Sequence, residues 1–282
     1  SSSFDVIIIG GGGAGFTAAI YTARAQLSTL LFEKQVPGGQ IATTDLVENY
    51  PGFPDGIVGP EIAQRMEQQA QRYGTRFAYD EVIALSKKGD LFQVETTQKQ
   101  YTSKTVILAM GASFRKLNIP NEKELTGKGV SYCATCDGAF FKNKEVVVVG
   151  GGDSALQEGL FLTRFANKVT VIHRRNKLRA SPVLQQRALT HQKMQFFWDA
   201  VVETIEGKNK VEEVVLRYLK TGRCERFRTD GVFIFIGHEP NSEIVNKWVQ
   251  IDEKGYIITD SSFKTSVPGL FAAGEVRQGA VR

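Results

Sequence analysis

The first apolar run of the chain, Val6 to Ile9, consists of β-branched residues with no polar interruption. Such a run suits a strand buried on both faces of a sheet. Gly10, Gly11, Gly12 and Gly13 follow, and then about 12 residues whose apolar positions recur with helical spacing. A second apolar run, Thr29 to Phe32, closes the pattern. The same succession returns later as Val146 to Val149, a glycine turn, a helical stretch, and Val169 to Ile172. An offset of 140 positions aligns Phe4–Lys34 with Lys144–Arg174 without a gap. Gly10 then meets Gly150, Gly12 meets Gly152, and Gly15 meets Ala155. Strand, tight turn, helix and strand make a βαβ unit, and the chain contains it twice. The expected fold class is α/β, with two Rossmann-like dinucleotide-binding domains.

A GxGxxG pattern alone is weak, but both copies follow a strand and open a helix, the context that a dinucleotide turn requires. The first glycine permits the turn, the second lets backbone approach a pyrophosphate, and the third small residue allows close helix packing. The alternative, a glycine-rich turn with no ligand, has to hold for both copies at once. The ends of the second strands differ. Glu33 lies 23 residues after Gly10, where a carboxylate accepts hydrogen bonds from ribose hydroxyls and favours FAD or NAD. The aligned residue is His173, followed by Arg174 and Arg175, with Lys177 and Arg179 close behind. Guanidinium groups bind a 2′-phosphate that a carboxylate would repel, so the second copy reads as an NADP(H) site. A basic surface loop is the competing explanation.

Cys133 and Cys136 form Cys-Ala-Thr-Cys-Asp between the two units. A zinc site lacks ligands, because Cys224 is the remaining cysteine and His173, His191 and His238 show no ligand spacing. Two inert buried thiols are a second reading. A redox dithiol fits best: one thiolate attacks a disulfide and its neighbour resolves the mixed disulfide, with Asp137 placed to carry protons. Cys224 reads as incidental.

Composition narrows the class without naming it. At 282 residues the chain has room for about two domains. With 42% hydrophobic, 10% aromatic and 23% charged residues, it reads as an ordinary soluble protein rather than a disordered or coiled-coil one. Three cysteines are too few for a disulfide scaffold. No apolar run reaches the roughly 20 residues that span a bilayer, and with a strand-like start no signal peptide is expected. A reducing compartment, the cytoplasm, is therefore expected, with no membrane partner. The net charge of +5 arises partly in the arginine cluster and does not line a face with interleaved aromatics, so no nucleic-acid partner is expected.

These residues together resemble the low-molecular-weight thioredoxin reductases over essentially the whole chain. Gly38-Gly39-Gln40 and Glu48-Asn49-Tyr50-Pro51-Gly52 resemble that family's flavin-ring segment, and Leu108-Ala109-Met110-Gly111-Ala112 its ATG-type strand end. Gly150 to Ala155 and His173 to Arg179 are similar to its NADPH segment. Ile236-Gly237-His238 and Val267 to Gly274 are similar to its return crossing and second flavin motif. Residues 1–132 contain no cysteine, which separates this type from the larger flavoprotein disulfide reductases.

The resemblance implies a discontinuous FAD domain, residues 1–112 and 240–282, with an NADPH domain carrying the CxxC inserted at 113–239. By similarity, Gly10, Gly12, Gly13, Ala14, Gly15, Glu33, Gln40, Asn49, Val82, Glu275 and Arg282 would serve FAD. Gly150, Gly152, Asp153, Ser154, His173, Arg174, Arg175 and Arg179 would serve NADPH. Cys136 would face the flavin and Cys133 would attack the protein substrate. The connections near Ser113–Lys116 and Glu239–Ser242 would be hinges for a rotating NADPH domain.

The sequence departs from the family pattern at Gly13, where proline is usual, and at Gln157 and Gly159 in the second helix. Glu275 replaces an aspartate that contacts the ribityl chain, and Arg282 ends the chain where an Arg-Gln pair would open a last helix. The second flavin segment is therefore expected to be cut short, or flavin retention altered. The implied activity is electron transfer from NADPH through FAD and Cys133–Cys136 to thioredoxin, by a homodimer. Relatives that use ferredoxin as donor, flavin-dependent dithiol oxidases, and a non-enzymatic redox sensor are the alternatives.

Overall fold

The computed structural model describes residues 2–280, so Arg282 lies outside the described residues. The chain divides into two units, one formed by residues up to Ser113 and from Glu239 onward, the other by Phe114–His238.

In the first unit, strand β1 (Ser3–Ile9) lies at the middle of a seven-stranded sheet. It pairs in parallel with β2 (Thr29–Glu33) on one side and with the strand Gln100–Leu108 on the other. Beyond β2 lies Arg76–Tyr79, and beyond Gln100–Leu108 lies the antiparallel hairpin Leu91–Thr96 and Val82–Lys88. Leu270–Ala272 returns to pair with the second half of Gln100–Leu108. Helix α1 (Gly13–Arg24) connects β1 to β2 and turns Phe16, Ala19 and Ala23 onto the sheet. Phe16 is fully buried, a contribution of about 2–3 kcal/mol relative to exposure.

The second unit repeats this pattern. Strand β3 (Glu145–Gly150) pairs in parallel with β4 (Lys168–His173) on one side and Gly231–Phe235 on the other. Helix α2 (Asp153–Leu162) connects β3 to β4. Met194–Trp198 and Val130–Ser131 complete a five-stranded sheet. Each apolar run read from the sequence lies inside its strand, because both faces are covered and every position prefers a β-branched or aromatic side chain. An antiparallel sheet of Ala200–Glu206, Glu213–Tyr218 and Cys224–Arg228 follows.

In both units the strand order reverses beside the central strand, at β1 and at β3. Ligands of open α/β sheets bind outside the carboxyl ends of the strands at such a point. The two segments that carry the chain between the units, Ala112–Phe114 and His238–Pro240, pair with each other as a two-stranded ribbon.

Candidate active site

At the end of β1 the chain turns sharply, with Gly10 at φ 107°. A Cβ on Gly10 would lie 2.2 Å from the Ala109 carbonyl oxygen, and one on Gly15 would lie 1.9 Å from the Gly10 carbonyl oxygen. Packing of the chain against itself therefore dictates these two glycines. Gly12 is different: a Cβ there meets no atom within 4 Å. Its φ of −83° and ψ of −174° suit any residue. What the glycine leaves open is space at the N-terminus of α1, where unpaired N–H groups favour phosphate.

Glu33 ends β2 beside this turn. Its Oε2 accepts the Gly11 N–H at 2.9 Å and its Oε1 the Gln35 N–H at 2.8 Å. Both oxygens keep a lone pair for a further donor. Gly38 (φ 105°) donates its N–H to the Gly11 carbonyl at 2.7 Å and holds the segment Gly39–Thr43 against the turn. Within that segment the Gln40 side-chain amide donates to the Ala112 carbonyl at 2.6 Å. Asn49 is exposed. Glu275 is half-buried on the turn after Gly274, whose Cα approaches the Ala14 methyl so closely that a Cβ would lie 2.8 Å from it. A cavity of about 400 Å³ adjoins the start of α1, walled by Gly13, Ala14, Thr17, Ile41, Met66 and Ala273. The Val82 side chain, by contrast, packs into the core with Leu85 and Phe92, which leaves its backbone as the part able to meet a ligand.

The second unit shows the same division of labour. Gly150 (φ 152°) is fixed by the Phe235 carbonyl, 2.3 Å from a would-be Cβ, and by Ala155. Gly152, at the N-terminus of α2, again has open space around it. The Asp153 carboxylate accepts the Ser181 N–H at 2.5 Å, and Arg179 donates its N–H to the Gly151 carbonyl at 2.8 Å. These bonds bring the loop after β4 back over the glycine turn. Ser154, Arg174, Arg175 and Arg179 are exposed on this unit.

His173 is buried, with its ring against Gly151, where a Cβ would lie 2.3 Å from Nδ1. Its Nε2 lies 3.1 Å from the Lys177 carbonyl. Burial, ahead of all other influences, holds its pKa below the ordinary imidazole value; Arg179 and Arg174 push the same way, and the bond to the Lys177 carbonyl opposes them. His173 is thus a neutral support at neutral pH, and the positive charge of this loop belongs to its arginines.

Cys133 and Cys136 are joined in a disulfide. Cys133 is extended and caps the single helical turn Ala134–Asp137, its Sγ accepting the Cys136 N–H at 3.2 Å. The Thr135 hydroxyl lies 3.5 Å from the same sulfur. Ala134 and Phe141 are buried in the core of this unit and anchor the turn, whereas Cys136 and Phe140 are exposed. That exposure excludes the reading of two inert core thiols. Asp137 is half-buried, its N–H bonded to the Cys133 carbonyl at 3.2 Å. Cys224 is a free thiol exposed on the antiparallel sheet. Its hydrogen bond to Glu203 pushes its pKa up, away from nucleophilic character. Among the described residues no group of three or more His, Cys, Asp or Glu could hold a metal, and no helix is long and apolar enough to cross a membrane.

Sequence reading passed over Ser131, which bonds Cys133, and Glu122, which bonds the neighbouring Tyr132. The Ser131 hydroxyl receives the Cys133 N–H at 3.0 Å and donates to its carbonyl at 3.1 Å. The Glu122 carboxylate accepts the Tyr132 hydroxyl at 2.7 Å.

Two dinucleotide turns and a disulfide on an exposed turn define a disulfide oxidoreductase that works with flavin and pyridine nucleotide. The chain belongs to the pyridine nucleotide-disulphide oxidoreductase family, which it matches over residues 4–282. It is 50% identical over 280 residues to the thioredoxin reductase of Bacillus subtilis (strain 168), covering 99% of this chain and 88% of that one. The crystal structure of Lactococcus lactis thioredoxin reductase superposes with a TM-score of 0.97 at 47% identity, covering 99% of this chain and 92% of that one. That of T. acidophilum thioredoxin reductase gives 0.94 at 38% identity, with coverage of 99% and 92%.

Proposed function

We propose that the chain is a thioredoxin reductase that draws electrons from NADPH and uses FAD and the Cys133–Cys136 pair to reduce a thioredoxin disulfide. The observation that carries this reading is the disulfide on an exposed turn of the same unit that bears Arg174, Arg175 and Arg179. The open space at Gly12 and at Gly152 supports a dinucleotide at each turn. On this reading Gly12, Gly13 and Ala14 receive the FAD pyrophosphate and Glu33 its ribose, while Gln40, Asn49, Glu275 and the Val82 backbone serve the rest. Gly152 and Ser154 receive NADPH phosphate, and the three arginines its 2′-phosphate, an anion that suits them better than a ferredoxin-type donor does. Bound together, nicotinamide and flavin supply the two-electron reduction of the dithiol.

The chain's own residues then perform the exchange. In the reduced form the Cys136 N–H, which points at Cys133 Sγ, favours the thiolate at Cys133. That thiolate attacks a substrate disulfide, whose S–S bond breaks as a Cys133–substrate disulfide forms; the departing sulfur takes a proton. The Cys136 thiolate next attacks Cys133 Sγ, releasing the second substrate thiolate, which is protonated, and restoring the Cys133–Cys136 disulfide. On this reading Asp137, next to Cys136 in the chain, supplies that proton. Two electrons and two protons reach the substrate. On this reading the assembly is a homodimer, carried over from the sequence resemblance, and the compartment is the cytoplasm, carried over from the composition.

Cys133→Ser tests the assignment. NADPH should still bleach the flavin band anaerobically, while thioredoxin reduction should be abolished. Continued turnover of thioredoxin by this variant overturns the dithiol assignment.

A further inference from the structure

Among the described residues Glu122 is the one carboxylate that is buried, with 3% of its surface exposed, and the exchange chemistry above does not use it. It closes the loop that follows the first crossing between the units. Asn118 and Asn121 adopt left-handed φ values of 57° and 65° there, which asparagine tolerates better than most residues. The loop thereby turns three successive N–H groups onto the carboxylate: Leu117 at 2.9 Å, Asn118 at 2.6 Å and Ile119 at 3.4 Å. A carboxylate held by its own loop in this way cannot swing. Its remaining bond is to the Tyr132 hydroxyl, and Tyr132 directly precedes Cys133.

On the opposite side of the same segment, Ser131 bonds both backbone groups of Cys133. Cys133 is therefore braced twice, once by the serine on its sheet and once by the carboxylate through Tyr132. The direction of Cys133 Sγ toward the Cys136 N–H depends on the backbone at position 132, because planar peptides leave two soft torsions per residue. We propose that Glu122 is a positioning residue for the redox dithiol, acting through Tyr132 to keep Cys133 Sγ aligned with the Cys136 N–H. This inference rests on the assignment of Cys133 as the attacking sulfur.

Tyr132→Phe and Glu122→Gln, alone and together, in the flavin-loaded protein test it. The first readout is the rate at which iodoacetamide alkylates Cys133 after anaerobic reduction, followed by mass spectrometry with exposed Cys224 as internal control. Each single variant should slow Cys133 alkylation by about two- to tenfold, the range expected from one net hydrogen bond. The double variant should be no slower than the slower single one, since both changes cut the same connection. Thioredoxin kcat should fall with them at nearly constant KM.

A purely structural role would lower the unfolding midpoint and leave alkylation of the folded protein unchanged. Wild-type alkylation of Tyr132→Phe, or losses that multiply in the double variant, overturns the proposal. Tyr132→Phe removes a single oxygen, so the outcome stands even if Glu122→Gln does not fold. Alkylation needs no thioredoxin: a wild-type protein that fails to reduce thioredoxin while Cys133 responds as described refutes the proposed function and leaves this positioning role intact.

Discussion

Gly12→Ala separates what the fold requires from what a ligand requires. In the free protein two small effects oppose each other. Alanine at a helix N-cap costs about 0.5–1 kcal/mol relative to glycine. Restricting the unfolded chain returns about 0.4–1 kcal/mol at a position whose φ of −83° alanine accepts. No clash adds to the balance, because the methyl group meets nothing within 4 Å. Stability of the apoprotein should therefore stay within about 1 kcal/mol of wild type. Gly15→Ala, which places a methyl group 1.9 Å from the Gly10 carbonyl oxygen, should cost several times more or prevent folding.

For the flavin the expectation reverses. The methyl group would fill the gap across which a pyrophosphate reaches the first N–H groups of α1. Loss of one charge-assisted hydrogen bond, about 1.5–3 kcal/mol, weakens binding about ten- to 150-fold. Titration of flavin-free protein with FAD, followed by fluorescence quenching, measures the second quantity, and urea unfolding measures the first. Gly152→Ala should behave alike toward NADPH while leaving FAD affinity untouched. A Gly12→Ala apoprotein that binds FAD like wild type, or one destabilised by more than about 2 kcal/mol, refutes the reasoning.

Arg174→Ala combined with Arg175→Ala should weaken NADPH by about tenfold or more, and NADH hardly at all; equal losses in a competition titration would remove these arginines from 2′-phosphate recognition. His173 makes stability depend on pH in a defined direction. Its folded pKa lies below the unfolded value of 6.5, so as pH falls the unfolded chain takes up the proton first and the folded state loses its advantage. Stability should be complete above pH of about 7.5 and decline toward about 5.5, less steeply in His173→Asn; identical slopes in urea titrations of the two proteins would exclude this contribution.

The legible parts of this fold are those that depend on neighbours in sequence. Val6 to Ile9 and Val146 to Val149 announce their strands because a strand covered on both faces needs no alternation. The turn glycines announce themselves because no other residue fits 2 Å from a carbonyl. The antiparallel sheet at 200–228 gave no comparable signal. Its strand Cys224–Arg228 reads Cys-Glu-Arg-Phe-Arg, with three of its five residues charged. It is held by pairing to Glu213–Tyr218, a register that local sequence does not carry. Glu122 was illegible for the same reason. Flanked by Asn121, Lys123 and Glu124, it reads as one charge of a solvated loop. Its burial depends on a tyrosine ten positions away and on the left-handed turns at Asn118 and Asn121. The division of labour among the glycines was legible from their order in the motif, and the packing agrees with it: a Cβ on Gly15 would meet the Gly10 carbonyl, whereas one on Gly12 would meet nothing within 4 Å.

The same comparison across the repeat explains how one turn can serve two nucleotides. Glu33 and His173 occupy aligned positions, and each packs on the glycine inside its turn, Glu33 against Gly11 and His173 against Gly151. Both therefore hold the strand end to the turn, and in that respect they are interchangeable. They differ in charge. On our reading the Glu33 carboxylate accepts ribose hydroxyls and repels phosphate, whereas burial holds the His173 pKa below the ordinary imidazole value and so favours its neutral form. On our reading the exchange removes the repulsion without supplying the attraction, which falls to Arg174, Arg175 and Arg179. A site stripped of those arginines becomes indifferent to the 2′-phosphate. Preference for NADH would require the anion as well, restored at the position where the first copy of the repeat already has it.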